Sequence, residues 1–187
     1  MAESPEWARL AGSFFRDPGL NQLPALPNLR TMSTIRIAGP EEADPIARII
    51  NAAFEVERPY RLHGERTSAE EIRQLMMDGN TFFVAEEGGR ILGAVFVRIT
   101  GHSGYFGMLS VHPALQRGGI GRALREHAEE FCRQKGCSEM TLTTGDFRTE
   151  LVPYYTRAGY RVIGTEPGPA EWSMRSGFRV VHMAKPL

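Results

Sequence analysis

Apolar residues recur along this chain at two spacings, every second residue and every third or fourth, from about residue 35 to the end. Ile35-Arg36-Ile37 alternates as a half-buried strand does. Asp44-Pro45 reads as an N-cap followed by proline at the first helical position. Ile46, Ile49, Ile50, Ala53 and Phe54 then return at helical spacing. Thr67-Ser68-Ala69-Glu70 reads as a capping box for a second helix, with Ile72, Leu75 and Met76 inward and Gly79 as its stop. Apolar runs at 81–86 and 90–99 flank Glu87-Gly88-Gly89, which predicts a β-hairpin, and a further strand is expected over 105–111. The longest stripe is Ile120, Ala123, Leu124, His127, Ala128, Phe131 and Cys132, one buried face of an amphipathic helix. A strand at 139–144, a short helix at 151–158 and closing strands at 160–164 and 178–183 complete the pattern. No internal repeat or low-complexity tract interrupts it. The reading is α/β: one mixed sheet with helices on both faces.

Residues 1–33 differ. They are rich in Pro, Asn, Gly and Leu, and only the segment from Trp7 to Phe15 hints at an amphipathic turn. Glu3 and Glu6 argue against a secretory signal. Met32-Ser33-Thr34 falls immediately before the first strand, so 1–33 is read as an N-terminal extension, of the kind a misplaced start site would leave, and 34–187 as a single domain.

Composition narrows the chemistry. Lys+Arg and Asp+Glu are both 22, so no overall field draws in nucleic acid or an anionic membrane, and neither is expected as a partner. No apolar run is long enough to cross a bilayer. Lysine occurs only at Lys135 and Lys185, which disfavours lysine catalysis. Cys132 and Cys137, the only cysteines, have no matching histidine pair for zinc; no metal site is expected. They read as core residues of a cytoplasmic protein.

The stretch from Val111 through Leu124 carries the most chemistry. A strand ends at Val111, Pro113 breaks it, and a glycine-rich turn delivers the chain into the long helix. Free backbone N–H groups at a helix start, with the helix dipole behind them, favour an anion, commonly a phosphate. Gly118, Gly119 and Gly121 let a bulky diphosphate approach the main chain, and Arg117 and Arg122 add cationic forks. Two familiar phosphate loops do not fit. No glycine is followed by lysine, as the Walker loop requires, and Gly119-Ile120-Gly121 lacks the third glycine of the dinucleotide fingerprint.

Gln116-x-x-Gly119-x-Gly121, directly after Leu109-Ser110-Val111-His112-Pro113, closely resembles the acyl-CoA-binding motif of the GNAT superfamily of N-acetyltransferases. A second block, Pro153-Tyr154-Tyr155-Thr156-Arg157-Ala158-Gly159-Tyr160-Arg161, resembles that superfamily's later helix-to-strand motif, and the spacing between the blocks holds one helix and one strand. The resemblance runs from about Ile35 to Leu187. It implies a single mixed, mostly antiparallel central sheet with helices on both faces. It also implies acetyl-CoA as cosubstrate and transfer to a primary amine of a small molecule or peptide. Members commonly pair, so it allows a homodimer.

Carried over by residue, the resemblance lays the pantetheine arm along Leu109, Ser110 and Val111, with the thioester near Leu109 and a main-chain N–H as oxyanion donor. The diphosphate falls on Arg117, Gly118, Gly119, Ile120, Gly121 and Arg122, beside Gln116. Tyr155 matches the tyrosine that protonates the departing thiolate; its bland alternative is a core aromatic, which is the reading given to Tyr154. The base is open. The strand before the turn, Phe106-Gly107-Met108-Leu109-Ser110, has no carboxylate, and Glu57, acting through water, is the first candidate. Glu55 is adjacent but would point elsewhere, His63 lies in the loop that the family uses as a wall of the acceptor pocket, and His112 reads as a turn residue near CoA rather than a base; Asp146 and Glu150 could bind an acceptor amine, though Glu150 also fits a cap of the helix at Leu151. Arg58, Arg61 and Arg66 could welcome an acceptor carboxylate. The competing reading is a non-catalytic acyl-CoA-binding module, which the missing strand carboxylate favours and Tyr155 opposes.

Overall fold

Phe82, Phe83, Val84 and Ala85 are consecutive and all buried, so the sheet to which they belong is covered on both faces. The computed structural model describes residues 33–61, 64–169 and 177–187. They form strands β1 (Thr34–Ile37), β2 (Thr81–Glu87), β3 (Arg90–Thr100), β4 (Ser103–Val111), β5 (Glu139–Gly145), β6 (Arg161–Pro167) and β7 (Arg179–Pro186). The helices are α1 (Ala43–Ala53), α2 (Ala69–Met77), α3 (Ile120–Gln134) and α4 (Leu151–Arg157). Short 3-10 turns occupy Pro40–Glu42, Glu55–Tyr60 and Pro113–Leu115. The strand order is β1-β2-β3-β4-β5-β7-β6 in one seven-stranded sheet. Every neighbouring pair is antiparallel except β4 with β5. This is the mixed, mostly antiparallel α/β sheet expected.

Side-chain alternation sorts the core into two layers. Phe83, Ala85, Val95, Val97 and Phe106 meet Ile120, Leu124, Ala128 and Cys132 of α3 and Tyr155 of α4. Phe82, Val84, Ala94 and Phe96 meet Ile46, Ile50 and Ile72 of α1 and α2 on the opposite face. The β2–β3 hairpin turns on Gly88 and Gly89, both at positive φ (56° and 76°), the geometry a tight two-residue turn demands.

Several boundaries differ from the sequence reading, among them the closing strands, which run to Pro167 and Pro186 rather than to 164 and 183. The first helix starts at Ala43, so Asp44 lies inside its first turn rather than capping it, and the Asp44 carboxylate pairs with Arg73. The second is capped by Ser68, whose hydroxyl accepts from the Glu71 N–H at 3.1 Å; Thr67 instead donates to the Glu71 carboxylate at 2.9 Å. The box is therefore shifted by one residue. β4 begins at Ser103, ahead of the expected 105, because Ser103 to Tyr105 pair with β5. Residues 1–32 and His63 lie outside the described residues. No helix among the described residues is long and apolar enough to cross a membrane, and none of their His, Cys, Asp and Glu side chains group to hold a metal. Both cysteines are buried and free, and burial, then the neighbouring Cys137, pushes the Cys132 thiol up to about 12.

Candidate active site

The turn after β4 is held by two side chains that use up the local acceptors and donors. The His112 N–H reaches Leu92 O at 2.9 Å, and its ring Nδ1 accepts from the Ala114 N–H at 3.3 Å. Burial lowers the His112 pKa, which keeps the ring neutral and able to accept. His112 is a turn cap, as its sequence position suggested. Gln116 folds back and donates from Nε2 to Val111 O at 3.3 Å. Beyond it, Arg117 (φ 66°) and Gly119 (φ 90°) take left-handed conformations, and Gly119 is the N-cap of α3. Left-handed residues interrupting right-handed ones turn successive amides to one side, a concavity suited to an anion. The amides of Arg117, Gly118, Gly119, Ile120, Gly121 and Arg122 donate to no described group. Gly121 packs the helix start on the strand end: a Cβ there would lie 3.3 Å from Val111 Cγ2.

A split in the sheet leads to this turn. β4 and β5 pair only through Ser103↔Glu139, Gly104↔Met140 and Tyr105↔Thr141. From Phe106 onward the two parallel strands diverge, leaving an open backbone edge on each. On its other side β4 stays on β3 but skips register between Phe96↔Gly107 and Ala94↔Ser110, which places Met108 and Leu109 in a bulge. Met108 has φ 50°, an uncommon value for a side chain of its size. The Ser110 hydroxyl donates to Met108 O at 2.9 Å and fixes the bulge.

The ladder says which residues face the split. Because the His112 N–H bonds to β3, antiparallel alternation turns the backbone of Ser110 toward β3 and those of Val111 and Leu109 toward the open edge. Leu109 and Val111 thus border the split. Ser110 does not: its main chain faces the neighbouring strand and its side chain is spent on the bulge.

Tyr155, on α4, sits 7% exposed below the split, with its ring edge-on to Phe106, Tyr154 and Tyr160. Burial, then the neighbouring Tyr154 phenol, pushes its pKa above the ordinary value, so it remains a proton donor at neutral pH. Tyr154 is half-buried and faces Arg125. Beside them lies a buried ionic cluster that the hydrophobic pattern did not reveal. Glu129 takes Arg125 on one oxygen, the Tyr160 hydroxyl on the same oxygen at 2.7 Å, and Lys185 Nζ on the other at 2.7 Å. Burial alone would raise the Glu129 pKa, but the hydrogen bonds of Lys185 and Tyr160 and the charge of Arg125 hold it below the usual carboxylate range. Opposite charges four residues apart, Arg125 and Glu129, were the one sequence signal. Lys185, far along the chain, gave none.

Arg122, Arg125, Arg157 and Lys185 line a groove of about 370 Å³ between α3 and α4 together with Glu126 and Glu129, and Arg122 Nε donates to Glu126 at 2.6 Å. Arg125 Nε is buried without a partner there.

On the opposite face the expected base is otherwise employed. Glu57, 9% exposed in the 3-10 turn after α1, accepts from Arg148 Nη1 at 2.7 Å, while Arg148 Nε also reaches Glu150 at 2.7 Å. Tyr60 stacks on Phe147 with centroids 4.4 Å apart. Together these contacts tie the turn after α1 to the loop after β5. Glu55 pairs with Arg58, and Asp146 accepts the Arg179 N–H at 3.0 Å. Arg61 donates to Phe54 O at 2.7 Å and Arg66 lies over the Phe54 ring, so the three arginines do not form an open carboxylate site.

A turn with unbonded amides, a split parallel pair and a buried phenol thus lie along β4 and its end. The sequence profile of the Acetyltransferase (GNAT) family matches residues 46–160. Solved structures agree in fold. The ribosomal-protein-S18-alanine N-acetyltransferase of Escherichia coli superposes with TM-score 0.68 at 18% identity, over 83% of this chain and 94% of that one. Ard1 from Thermoplasma volcanium gives 0.67 at 18% identity, over 83% and 97%. The yncA protein of Salmonella typhimurium, solved with its cofactor acetyl-CoA, gives 0.64 at 20% identity, over 83% and 94%. The chain belongs to the GNAT family, and its activity is that of an acetyl-CoA-dependent N-acetyltransferase.

Proposed function

We propose that this protein moves an acetyl group from acetyl-CoA directly to a primary amine of a small molecule or peptide. The observation that carries the reading is the run of unbonded amides at residues 117–122, placed at the mouth of the β4–β5 split. The diphosphate rests on those amides with Arg117 and Arg122 beside it, and the arm runs back along the open edge of Leu109 and Val111. The amine nitrogen bonds to the acetyl carbon at the bulge and loses a proton that ends in solvent, the C–S bond breaks, and Tyr155 gives its proton to the sulfur and regains one from solvent. Glu57 is left as the tie to Arg148 rather than the base.

The acceptors named for similar folds include a ribosomal-protein alanine and phosphinothricin, a peptide end and a small molecule, so both classes stand. The family match, not the site geometry, weighs against the non-catalytic alternative. Calorimetry with acetyl-CoA, followed by thiol release over a panel of alanyl peptides and small primary amines, tests the reading. Binding plus turnover is expected; binding without turnover would make the protein a sensor, and no binding would end the assignment.

A further inference from the structure

Tyr105 sits at the last paired position of β4 with β5, on the face of the sheet opposite Tyr155's helix. Its ring lies along the strand over Gly107: a Cβ on that glycine would be 3.0 Å from the Tyr105 hydroxyl oxygen and 3.1 Å from the ring. The hydroxyl is therefore carried toward the bulge at Met108, one residue on, and any side chain at 107 would displace it. Across the apex of the split it meets Thr143 Oγ1 on β5 at 3.0 Å. The Arg98 guanidinium covers the ring at 5.2 Å and Phe96 meets its edge. A ring clamped on three sides, with its oxygen held over a side-chain-free stretch of the open strand, is a preorganised group facing a reacting centre.

We propose that Tyr105, oriented by Thr143, receives the attacking amine on the acceptor side of the split and takes its proton. The proposal rests on the acetyl-transfer reading above. As the nitrogen bonds to the acetyl carbon, its N–H proton passes to the Tyr105 oxygen. The Tyr105 proton moves to Thr143 Oγ1, and the Thr143 proton leaves to solvent, which the half-buried Thr143 still touches. The sulfur departs with the proton of Tyr155. Two phenols, one on each face of the split, thus divide the proton traffic: Tyr105 handles the nucleophile and Tyr155 the leaving group. Thr143 is a positioning residue, because it acts through Tyr105.

Two variants separate this from a strand-pinning role. Tyr105→Phe removes one oxygen and keeps the ring, and Thr143→Val keeps the shape but loses the hydrogen bond. With the best amine of the panel, Tyr105→Phe is expected to lower kcat by about tenfold or more, and Thr143→Val by less. Acetyl-CoA affinity by calorimetry and the melting temperature should stay close to wild type in both. Unchanged kcat in Tyr105→Phe, or a fall in melting temperature with kcat of the folded enzyme preserved, would overturn the proposal. Acetyl-CoA binding would then still stand, so the broader reading would survive. Wild-type protein that releases no thiol with any amine would sink both the proposal and transfer itself.

Discussion

Tyr155 and Glu129 lie one contact apart, joined by Tyr160, and illustrate two outcomes of burying a polar group. Tyr155 is buried among aromatic rings and keeps its proton, so it suits a sulfur that leaves as an anion. Tyr155→Phe should therefore lower kcat about a hundredfold with little change in acetyl-CoA affinity; unchanged turnover in a stopped assay would remove the acid role. Glu129 is buried ionised, because Arg125, Lys185 and the Tyr160 hydroxyl share its two oxygens. Removing the carboxylate leaves the buried Arg125 and the half-buried Lys185 facing each other. Glu129→Ala is expected to cost about 3–5 kcal/mol in chemical denaturation, far more than truncation of an exposed glutamate. A loss under about 1 kcal/mol would mean that the cluster is solvated in solution.

Among the elements, the turn and first residues of α3 unite fold and function. Gly119 at φ 90° is both the N-cap that starts the helix and the point at which the main chain bares its amides. An alanine there must adopt a left-handed conformation that costs about 1–2 kcal/mol. Gly119→Ala should lower both the melting temperature and acetyl-CoA affinity, whereas Gly136→Ala, also at positive φ but beyond the far end of α3, should lower only the first. Equal acetyl-CoA affinity in the two variants would detach the turn from the diphosphate. The β4–β5 pair is the second such element. A parallel pair broken after Tyr105↔Thr141 leaves main-chain groups of both strands without strand partners. An extended ligand can satisfy them as an added strand does.

For the whole molecule, charge is balanced in number but not in placement. The folded pKa of Glu129 lies below its unfolded value, and so does that of Glu42, held by Arg36 across the start of the domain. Carboxylates shifted in this direction stabilise the fold fully above their unfolded pKa, about 4.3, and the contribution disappears as pH falls through the lower folded values. Melting temperature should be flat above that range and drop steeply in acid. The drop should be shallower in Glu129→Gln; an unchanged acid slope would show that this carboxylate does not control it. The acceptor side belongs to the same scale, because the Glu57–Arg148 pair and the Tyr60–Phe147 stack join segments far apart in sequence.

The hydrophobic periods by themselves determined the order of strands and helices, and the glycines marked the hairpin at Gly88-Gly89 and the turn into α3, since each depends on residues within a turn or two of one another. Caps were misplaced by two residues at Asp44 and by one at Thr67, where several adjacent polar side chains could have closed the helix and only packing chose among them. Glu57 looked like a free acid until Arg148 met it, and the cluster of Arg125, Glu129, Tyr160 and Lys185 was not read from the sequence at all. Tyr105 gave no sign at all, because what matters about it is the neighbouring strand's Thr143 and the bare Gly107 beneath its ring. Tertiary structure alone decided these. A side chain's partner across a sheet or between helices depends on register and layer, which no run of neighbouring residues encodes.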